Sequence, residues 1–149
     1  MNTQVHLCGP EDRAPLLSLV TRCHEERRIA MDDAAREAAI GPLLEGSPLG
    51  AAYIFGPRRA PIGYVIVTFG WSVELGGMEG TLDEIFVRPS VRRRGIGGSI
   101  LHDIGAALSD AGLRALHMRV DAADAPALSL GRRAGFIPRD ETRHLVRLL

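Results

Sequence analysis

Four stretches of the chain are predicted to be helices, the first of them from the spacing of its apolar residues. Between Glu11 and Arg28, apolar side chains occupy positions 16, 17, 19, 20 and 23, close to the period of an amphipathic helix. A second helix is predicted from Asp32 or Asp33, either of which can cap it, to about Leu44. Two later helices are predicted over 97–111 and 124–134.

Runs of β-branched and aromatic residues between Gly and Pro breaks predict the strands. In chain order the predicted strands cover 5–8, 50–55, 62–69, 81–88 and 113–120, and Phe136 with 143–148 supplies the last strand material. The predicted order is β-α-α-β-β-β-α-β-α-β, in which helices and strands alternate only in the second half. This order favours a mixed α/β sheet over a doubly wound one. Because we find no repeat, linker or low-complexity tract, we expect residues 1–149 to form one domain.

Composition and charge narrow the possible classes of protein. Apolar residues make up 46% of the 149 residues, which suffices for a core. The 18 basic and 18 acidic residues balance, which argues against a dedicated binder of nucleic acids or anionic membranes. Every basic residue is Arg, so no Lys can form a Schiff base or cradle the phosphates of a P-loop.

Nothing in the sequence predicts a metal site, secretion or a membrane span. Cys8 and Cys23 show no close spacing motif, and with the five scattered His residues they form no recognisable ligand set. The first residues lack a basic segment followed by an apolar run, and no apolar stretch approaches the roughly 18 residues that a span needs. We therefore expect a cytoplasmic protein with neither a membrane nor a nucleic acid as partner.

The candidate chemistry centres on a glycine-rich loop. After the strand that ends before Pro89 come Arg92, Arg93 and Arg94, and then Gly95-Ile96-Gly97-Gly98-Ser99 at the predicted start of a helix. Glycines let main-chain amides approach an anion, the helix N-terminus presents unpaired amides, and Arg adds charge-assisted donors. The pattern indicates a phosphate site, although a glycine-rich turn with a solvated Arg run explains these residues alone equally well.

Other nucleotide-binding loops fit less well. A dinucleotide-binding fingerprint requires Gly at positions 95, 97 and 100, but residue 100 is Ile, and the strand before the loop is at least the fourth. A P-loop requires Gly-Lys-Ser or Gly-Lys-Thr, which the chain lacks. A DNA-binding role for the Arg run would need a helix-turn-helix or a basic surface interleaved with aromatic residues, and the sequence predicts neither.

Two segments in the correct order carry a resemblance to a known family. Leu82-Asp83-Glu84-Ile85-Phe86-Val87-Arg88-Pro89, followed by Arg92-x-x-Gly95-x-Gly97, resembles the central motif of the GNAT superfamily of N-acetyltransferases. Asp124-x-x-Ala127-x-x-Leu130-x-Arg132-x-x-Gly135-Phe136 is similar to the family's second CoA motif. The resemblance implies an α/β fold of the α+β type. Its mixed, mostly antiparallel central sheet would have six to seven strands, be flanked by about four helices and be splayed at two central parallel strands.

The resemblance also implies a donor and a place for it. Acetyl-CoA would be the acyl donor, with its pyrophosphate held by the loop Arg92, Arg93, Arg94, Gly95, Ile96, Gly97, Gly98 and Ser99. Its pantetheine amides would pair with the strand at Ile85, Phe86 and Val87, and the next strand would splay away to open the slot. Asp124 stands where the family often has an Asn that contacts pantetheine, and it can equally be the N-cap of the following helix.

Acyl transfer to an amine needs a group that takes a proton from the amine. In the implied site Asp83 is favoured as base or amine-binding group, because it matches the position of a catalytic carboxylate in polyamine acetyltransferases, and Glu84 is second. Strict alternation would put Leu82, Glu84 and Phe86 on one face of the strand and Asp83 on the other. Either carboxylate could instead serve only to pair with an Arg.

One position departs from the family pattern. The Tyr that commonly protonates the leaving thiolate stands four residues before the Gly of the Gly-Phe pair, and here that residue is Gly131. Ser129 lies on another side of the predicted helix. The leaving thiolate could instead be protonated by Tyr64, Tyr53, His117 or a water, or it could leave unassisted.

The resemblance predicts an N-acetyltransferase that transfers an acetyl group to a primary amine of a small molecule or peptide, by direct attack in a ternary complex. A non-catalytic CoA-binding or regulatory protein on the same fold is the alternative, which the missing Tyr supports. A nucleotide-binding oxidoreductase domain is a third. Acidic residues of the first two helices and middle strands weakly favour a cationic acceptor. A homodimer is compatible with the resemblance.

Overall fold

Residues 3–149 are described by this computed structural model, and they contain five strands and four α-helices. The strands are β1 (Val5–Leu7), β2 (Gly50–Phe55), β3 (Gly63–Ser72), β4 (Gly77–Val87) and β5 (Ala115–Met118). The helices are α1 (Arg13–Arg27), α2 (Asp33–Leu44), α3 (Ile96–Asp110) and α4 (Ala125–Arg133). Short 3₁₀ turns at Pro10–Asp12 and Pro89–Val91 precede α1 and the glycine-rich loop. Within the described range, no helix is both long and apolar enough to cross a bilayer.

The strands form one sheet in the order β1-β2-β3-β4-β5. The first three neighbouring pairs are antiparallel and β4 pairs with β5 in parallel, which confirms a mixed, mostly antiparallel sheet. The expectation of six to seven strands is wrong, because residues 137–149 are exposed and contain no strand. In that segment the apolar pairs Leu145-Val146 and Leu148-Leu149 flank Arg147, so alternation offers no apolar face to bury. The parallel pair therefore lies at the edge of the described sheet and not at its centre.

Two hydrophobic cores lie on the two faces of the sheet. One core joins α1 and α2 to the sheet, and among its members are Leu16, Val20, Ile40, Ile54, Tyr64, Ile66 and Phe86. The other joins α3 and α4 to the opposite face, through Val65, Val67, Leu82, Ile100, Ile104 and Leu130. Burial of each large apolar side chain contributes about 2 kcal/mol, so both helical layers are held mainly by the sheet between them.

A β-bulge at Asp83 interrupts the alternation of side chains along β4. Ile66 of β3 pairs with Glu84, but the next residue, Val67, pairs with Leu82, so Asp83 has no partner in the register. Leu82 therefore packs in the core on the α3 face, whereas Phe86 packs in the core on the α1 face. The expectation that Leu82, Glu84 and Phe86 share one face is wrong, because an inserted residue resets the period of two.

Gly63 of β3 is a position at which any side chain collides with the sheet. A Cβ there would overlap Cζ of Phe55 and the carbonyl oxygen of Phe86. We expect Gly63→Ala to lower the free energy of unfolding by about 3 kcal/mol, because a buried ring and a strand must move. Urea denaturation measures this loss. Gly70→Ala in the same strand is the matched control, since a Cβ at Gly70 meets nothing within 4 Å. Equal losses in the two variants would contradict the packing described.

Candidate active site

The glycine-rich loop turns sharply and opens directly into α3. Arg93 and Gly95 both have positive φ angles, 63° and 74°, and Gly95 is the N-cap of the helix. The first helical hydrogen bond runs from the amide of Ser99 to the carbonyl of Gly95 at 3.1 Å. The amides of residues 96–98 therefore have no acceptor within the helix. This group of unpaired donors at the positive end of a helix dipole is suited to an anion.

Two glycines of this loop differ in the space around them. A Cβ at Gly97 would lie 3.2 Å from Cδ1 of Leu130 in α4, so this glycine also permits close packing of α3 against α4. A Cβ at Gly98 would approach nothing nearer than 4.0 Å. Gly98 is therefore the position at which a side chain can be added without disturbing the core.

The three loop arginines are not equivalent. Arg92 donates from Nε to the carbonyl of Val87 at 2.7 Å, pairs with Glu26 of α1 at 2.8 Å, and lies over the ring of Phe86 at 5.3 Å. Its guanidinium therefore ties the loop to α1. Arg93 and Arg94 are exposed and have no hydrogen-bond or ion-pair partner among residues 3–149, so theirs are the guanidinium groups available to a ligand.

The second half of β4 has one unpaired edge. β5 pairs only with Glu79–Leu82, through Ala115–Met118, while β3 pairs with β4 along its other edge as far as Val87. From Asp83 onward, the edge of β4 that faces β5 therefore has no strand partner in the described chain. The side chains of Ile85, Phe86 and Val87 pack into the two cores. This segment can offer backbone hydrogen bonds to an extended ligand but few side-chain ones.

The two candidate carboxylates have different surroundings. Asp83, in the bulge, is exposed and has no hydrogen-bond or ion-pair partner among the described residues. Glu84 is mostly buried, with 15% of its side chain exposed, and both of its oxygens accept hydrogen bonds. Oε2 accepts from Nε2 of His24 at 2.8 Å, and Oε1 accepts from the hydroxyl of Tyr64 at 2.9 Å. Neither carboxylate pairs with an Arg.

A buried polar chain extends from Glu84 into the helical layer. Nε of Arg36 donates to Nδ1 of His24 at 3.2 Å, and the other nitrogens of Arg36 bind Asp33, Thr21 and the carbonyl of Met31. Because a guanidinium can only donate, Nδ1 of His24 must accept, and Nε2 carries the ring proton toward Glu84. Burial, followed by the charge of Glu84, raises the pKa of Tyr64 well above its usual range.

Sequence reasoning missed both His24 and Arg36 as partners of Glu84. A signal was present, because His24 lies four residues after Val20 and eight after Leu16, on the buried stripe of α1. A polar side chain at a core position needs a buried partner. The partner itself lies 60 residues away in β4, and that pairing depends on the fold.

The side chains that could protonate a leaving thiolate differ in their exposure to solvent. Tyr64 is fully buried with its hydroxyl on Glu84, and Tyr53 packs in the core on the α3 face, where burial raises its pKa. His117 of β5 is exposed, and its Nε2 lies 2.8 Å from Oε2 of Glu79. Gly131 is buried, and a Cβ there would lie 3.3 Å from Sδ of Met118, so a side chain at this position requires Met118 to shift.

Asp124 is the N-cap of α4, and its Oδ1 accepts a hydrogen bond from the amide of Ala127 at 3.1 Å. This confirms the capping role that its position predicts. Its other carboxylate oxygen has no partner among residues 3–149.

Comparison with known proteins gives one family and a consistent fold. The model of the Acetyltransferase (GNAT) family matches residues 17–136. An integron cassette protein from the mobile metagenome of Cole Harbour Salt Marsh is 29% identical, with a TM-score of 0.85 over 98% of this chain and 90% of its own. A possible acetyltransferase from Clostridium difficile 630 is 13% identical, with a TM-score of 0.85 over 100% of this chain and 99% of its own.

The third similar structure is AAC(6')-Iy in complex with the bisubstrate analogue CoA-S-monomethyl-acetylneamine. It is 14% identical, with a TM-score of 0.81 over 100% of both chains. No curated protein matches the chain in sequence.

The buried chain through His24 generates a stability prediction. We expect His24→Leu to lower the free energy of unfolding by about 3 kcal/mol, because it leaves Arg36 and Glu84 without the group that joins them. Thermal and urea unfolding measure the loss. His102→Leu, at an exposed position of α3, is the control and should stay within about 0.5 kcal/mol of the unsubstituted protein. A His24→Leu protein as stable as that control would show that the chain contributes nothing to the fold.

Proposed function

This chain belongs to the acetyltransferase (GNAT) family of acyltransferases, and from that premise we propose that it transfers an acetyl group from acetyl-CoA to a primary amine. The amine would be part of a small molecule or a peptide, and it would attack the thioester directly in a ternary complex. The observation that carries the proposal is the unpaired edge of β4 from Asp83 onward, which is followed in the chain by the unpaired amides at the start of α3.

Acetyl-CoA fits this edge and these amides. The pyrophosphate would accept hydrogen bonds from the amides at the start of α3, with Arg93 and Arg94 beside it. The pantetheine amides would pair along Ile85, Phe86 and Val87 with the backbone groups that face the open edge, apart from the carbonyl of Val87, which already accepts from Nε of Arg92. Asp124 would stand near them at the start of α4. The thioester would then lie where β4 and β5 separate, next to Asp83. The CoA-containing analogue in AAC(6')-Iy supports this donor for a protein of similar fold.

The reaction requires the amine nitrogen to attack the thioester carbonyl carbon, after which the C–S bond breaks. The nitrogen loses a proton and the thiolate gains one. We assign the role of proton acceptor during attack to Asp83. Its carboxylate lies at the strand separation and has no hydrogen-bond or ion-pair partner among the described residues. Glu84 stands second. Its two oxygens are already engaged, so its contribution would be negative charge on the α1 face of the sheet.

A CoA-binding protein without catalytic activity is the competing function. The absence of a Tyr at position 131 favours it, since no side chain of α4 replaces the hydroxyl there. The exposed carboxylate of Asp83 favours the enzyme, because a regulatory CoA site has no need of a free base beside the thioester.

The donor site is tested by Gly98→Glu. The added carboxylate has room, and a negative charge in the first turn of α3 favours the helix, so the protein should fold normally. The same charge would repel the pyrophosphate, and we expect CoA affinity to fall at least 100-fold, measured by calorimetry. Gly98→Ala is the matched control and should bind CoA within about threefold of the unsubstituted protein. Unchanged affinity in Gly98→Glu would remove the pyrophosphate from this loop.

The reaction is tested by release of free thiol from acetyl-CoA in the presence of spermidine, an aminoglycoside or a Lys-containing peptide. We expect at least one of these amines to be acetylated. Asp83→Asn should then lower kcat by about 100-fold with CoA affinity retained, because the amide cannot take the proton. Binding of acetyl-CoA without thiol release from any amine would support the non-catalytic alternative.

A further inference from the structure

We propose that His117, held by Glu79, is a catalytic base that removes the first proton from the acceptor amine. This inference rests on the proposed function. It begins from an observation outside the assigned site, namely an exposed imidazole of β5 with Nε2 2.8 Å from a carboxylate oxygen of β4. About half of the His117 side chain is exposed, so a second molecule can reach it.

The pair of His117 and Glu79 lies close to the point at which β4 and β5 separate. His117 is in register with Thr81, and only one further pair, Leu82 with Met118, follows before β4 and β5 part. The bulge residue Asp83 comes directly after that pair. His117 therefore lies within two register positions of the place where the thioester is expected.

The side chain of His117 lies on the face of the sheet that α1 and α2 cover. Thr81 is in register with both His117 and Thr68, and Thr68 alternates with Ile66 and Tyr64, which pack on the α1 face. Met118, the next residue of β5, packs near Gly131 of α4 on the opposite face. The imidazole thus projects on the α1 and α2 side, whereas α3 and the loop amides begin on the other side. In this proposal the acceptor approaches from the α1 side, where His117 is exposed.

The reaction removes two protons from the nitrogen of the acceptor. A primary amine in neutral water is mostly an ammonium ion, which has no lone pair and cannot attack. It must lose one proton before attack and a second as the tetrahedral intermediate forms. One carboxylate cannot hold both protons at once, so a second acceptor beside Asp83 would let both transfers take place within the site.

The ammonium gives one proton to Nδ1 of His117, and its freed lone pair forms the C–N bond to the thioester carbonyl carbon. The second N–H proton passes to Asp83 as the tetrahedral intermediate forms. The C–S bond then breaks, and the thiolate takes a proton from water. His117 and Asp83 return their protons to solvent. One ammonium and one thioester give one amide, one thiol and one released proton.

Glu79 acts as the positioning residue of this pair. Oε2 of Glu79 accepts a hydrogen bond from Nε2–H of His117, which leaves Nδ1 as the free acceptor and stabilises the imidazolium that forms. None of the other described His residues combines these properties. His24 is buried with both nitrogens engaged, and His102 lies exposed on α3, on the far face of the sheet.

The experiment compares His117→Gln, His117→Ala and the control His102→Gln, in the thiol-release assay with whichever amine of the panel the unsubstituted protein acetylates. We expect kcat/KM to fall about 100-fold in both His117 variants and to be unchanged in His102→Gln. Added imidazole should restore part of the rate to His117→Ala, since the position is open to solvent, but none to Asp83→Asn. Glu79→Gln should lose about tenfold. Calorimetry with CoA checks that each variant still folds and binds the donor.

The outcomes separate this inference from the proposed function. Full activity in both His117 variants would overturn the role of His117 and leave the acetyltransferase intact. A slow His117→Ala that binds CoA but is not rescued by imidazole would also overturn it, since the loss would then be structural. If the unsubstituted protein releases thiol with none of the amines, the proposed function fails, and the inference fails with it.

Discussion

The arrangement of the molecule depends on how β4 is paired. Its first half has neighbours on both edges, whereas from Asp83 onward only β3 remains beside it. Unpaired backbone groups at a strand edge are costly to bury and attract other polar groups, so this open half must either face water or accept a ligand. The bulge lies at the transition, and it turns Asp83 out of the regular register. The loop that follows then continues the open edge into the free amides of α3.

The half of β4 from Asp83 onward has a strand neighbour on one edge only, and contacts with α1 hold it in place. Glu84, one residue past the bulge, is joined to His24 of α1, and His24 is joined in turn to Arg36 of α2. Arg92 adds a second link, from the glycine-rich loop to Glu26. Both links connect the open half of β4 to the helical layer on the other side of the sheet. Because buried polar groups are costly unless each is satisfied, the chain Glu84–His24–Arg36 fixes α1 in a single register against the strand.

Much of the fold follows from local patterns in the sequence. The four helices lie within a few residues of their predicted bounds, and Asp32 caps α2 as its position suggested. The glycine-rich loop and the cap at Asp124 are also local, since turn geometry and capping depend on a few neighbouring residues. The bulge at Asp83 is different, because an inserted residue is visible only against the partner strand. The pairing of His24 with Glu84 and the failure of 143–148 to form a strand likewise depend on contacts distant in sequence.

The hydroxyl that the family commonly has is missing at position 131. The relative basicity of the two possible leaving groups, the thiolate and the nitrogen, explains how the reaction can proceed without it. Met118 lies against Gly131, and α4 packs closely on β5 at this point. A thiol has a pKa of about 8.5, so the thiolate is a good leaving group, whereas a neutral nitrogen could leave a tetrahedral intermediate only as a far more basic amide anion. An acid at the sulfur is therefore a smaller help than a base at the nitrogen. Asp83 and His117 are two exposed proton acceptors near the strand separation, from which an amine would approach in the proposed reaction. The proposal thus places its proton-accepting groups at the nitrogen, where the chemical barrier is higher.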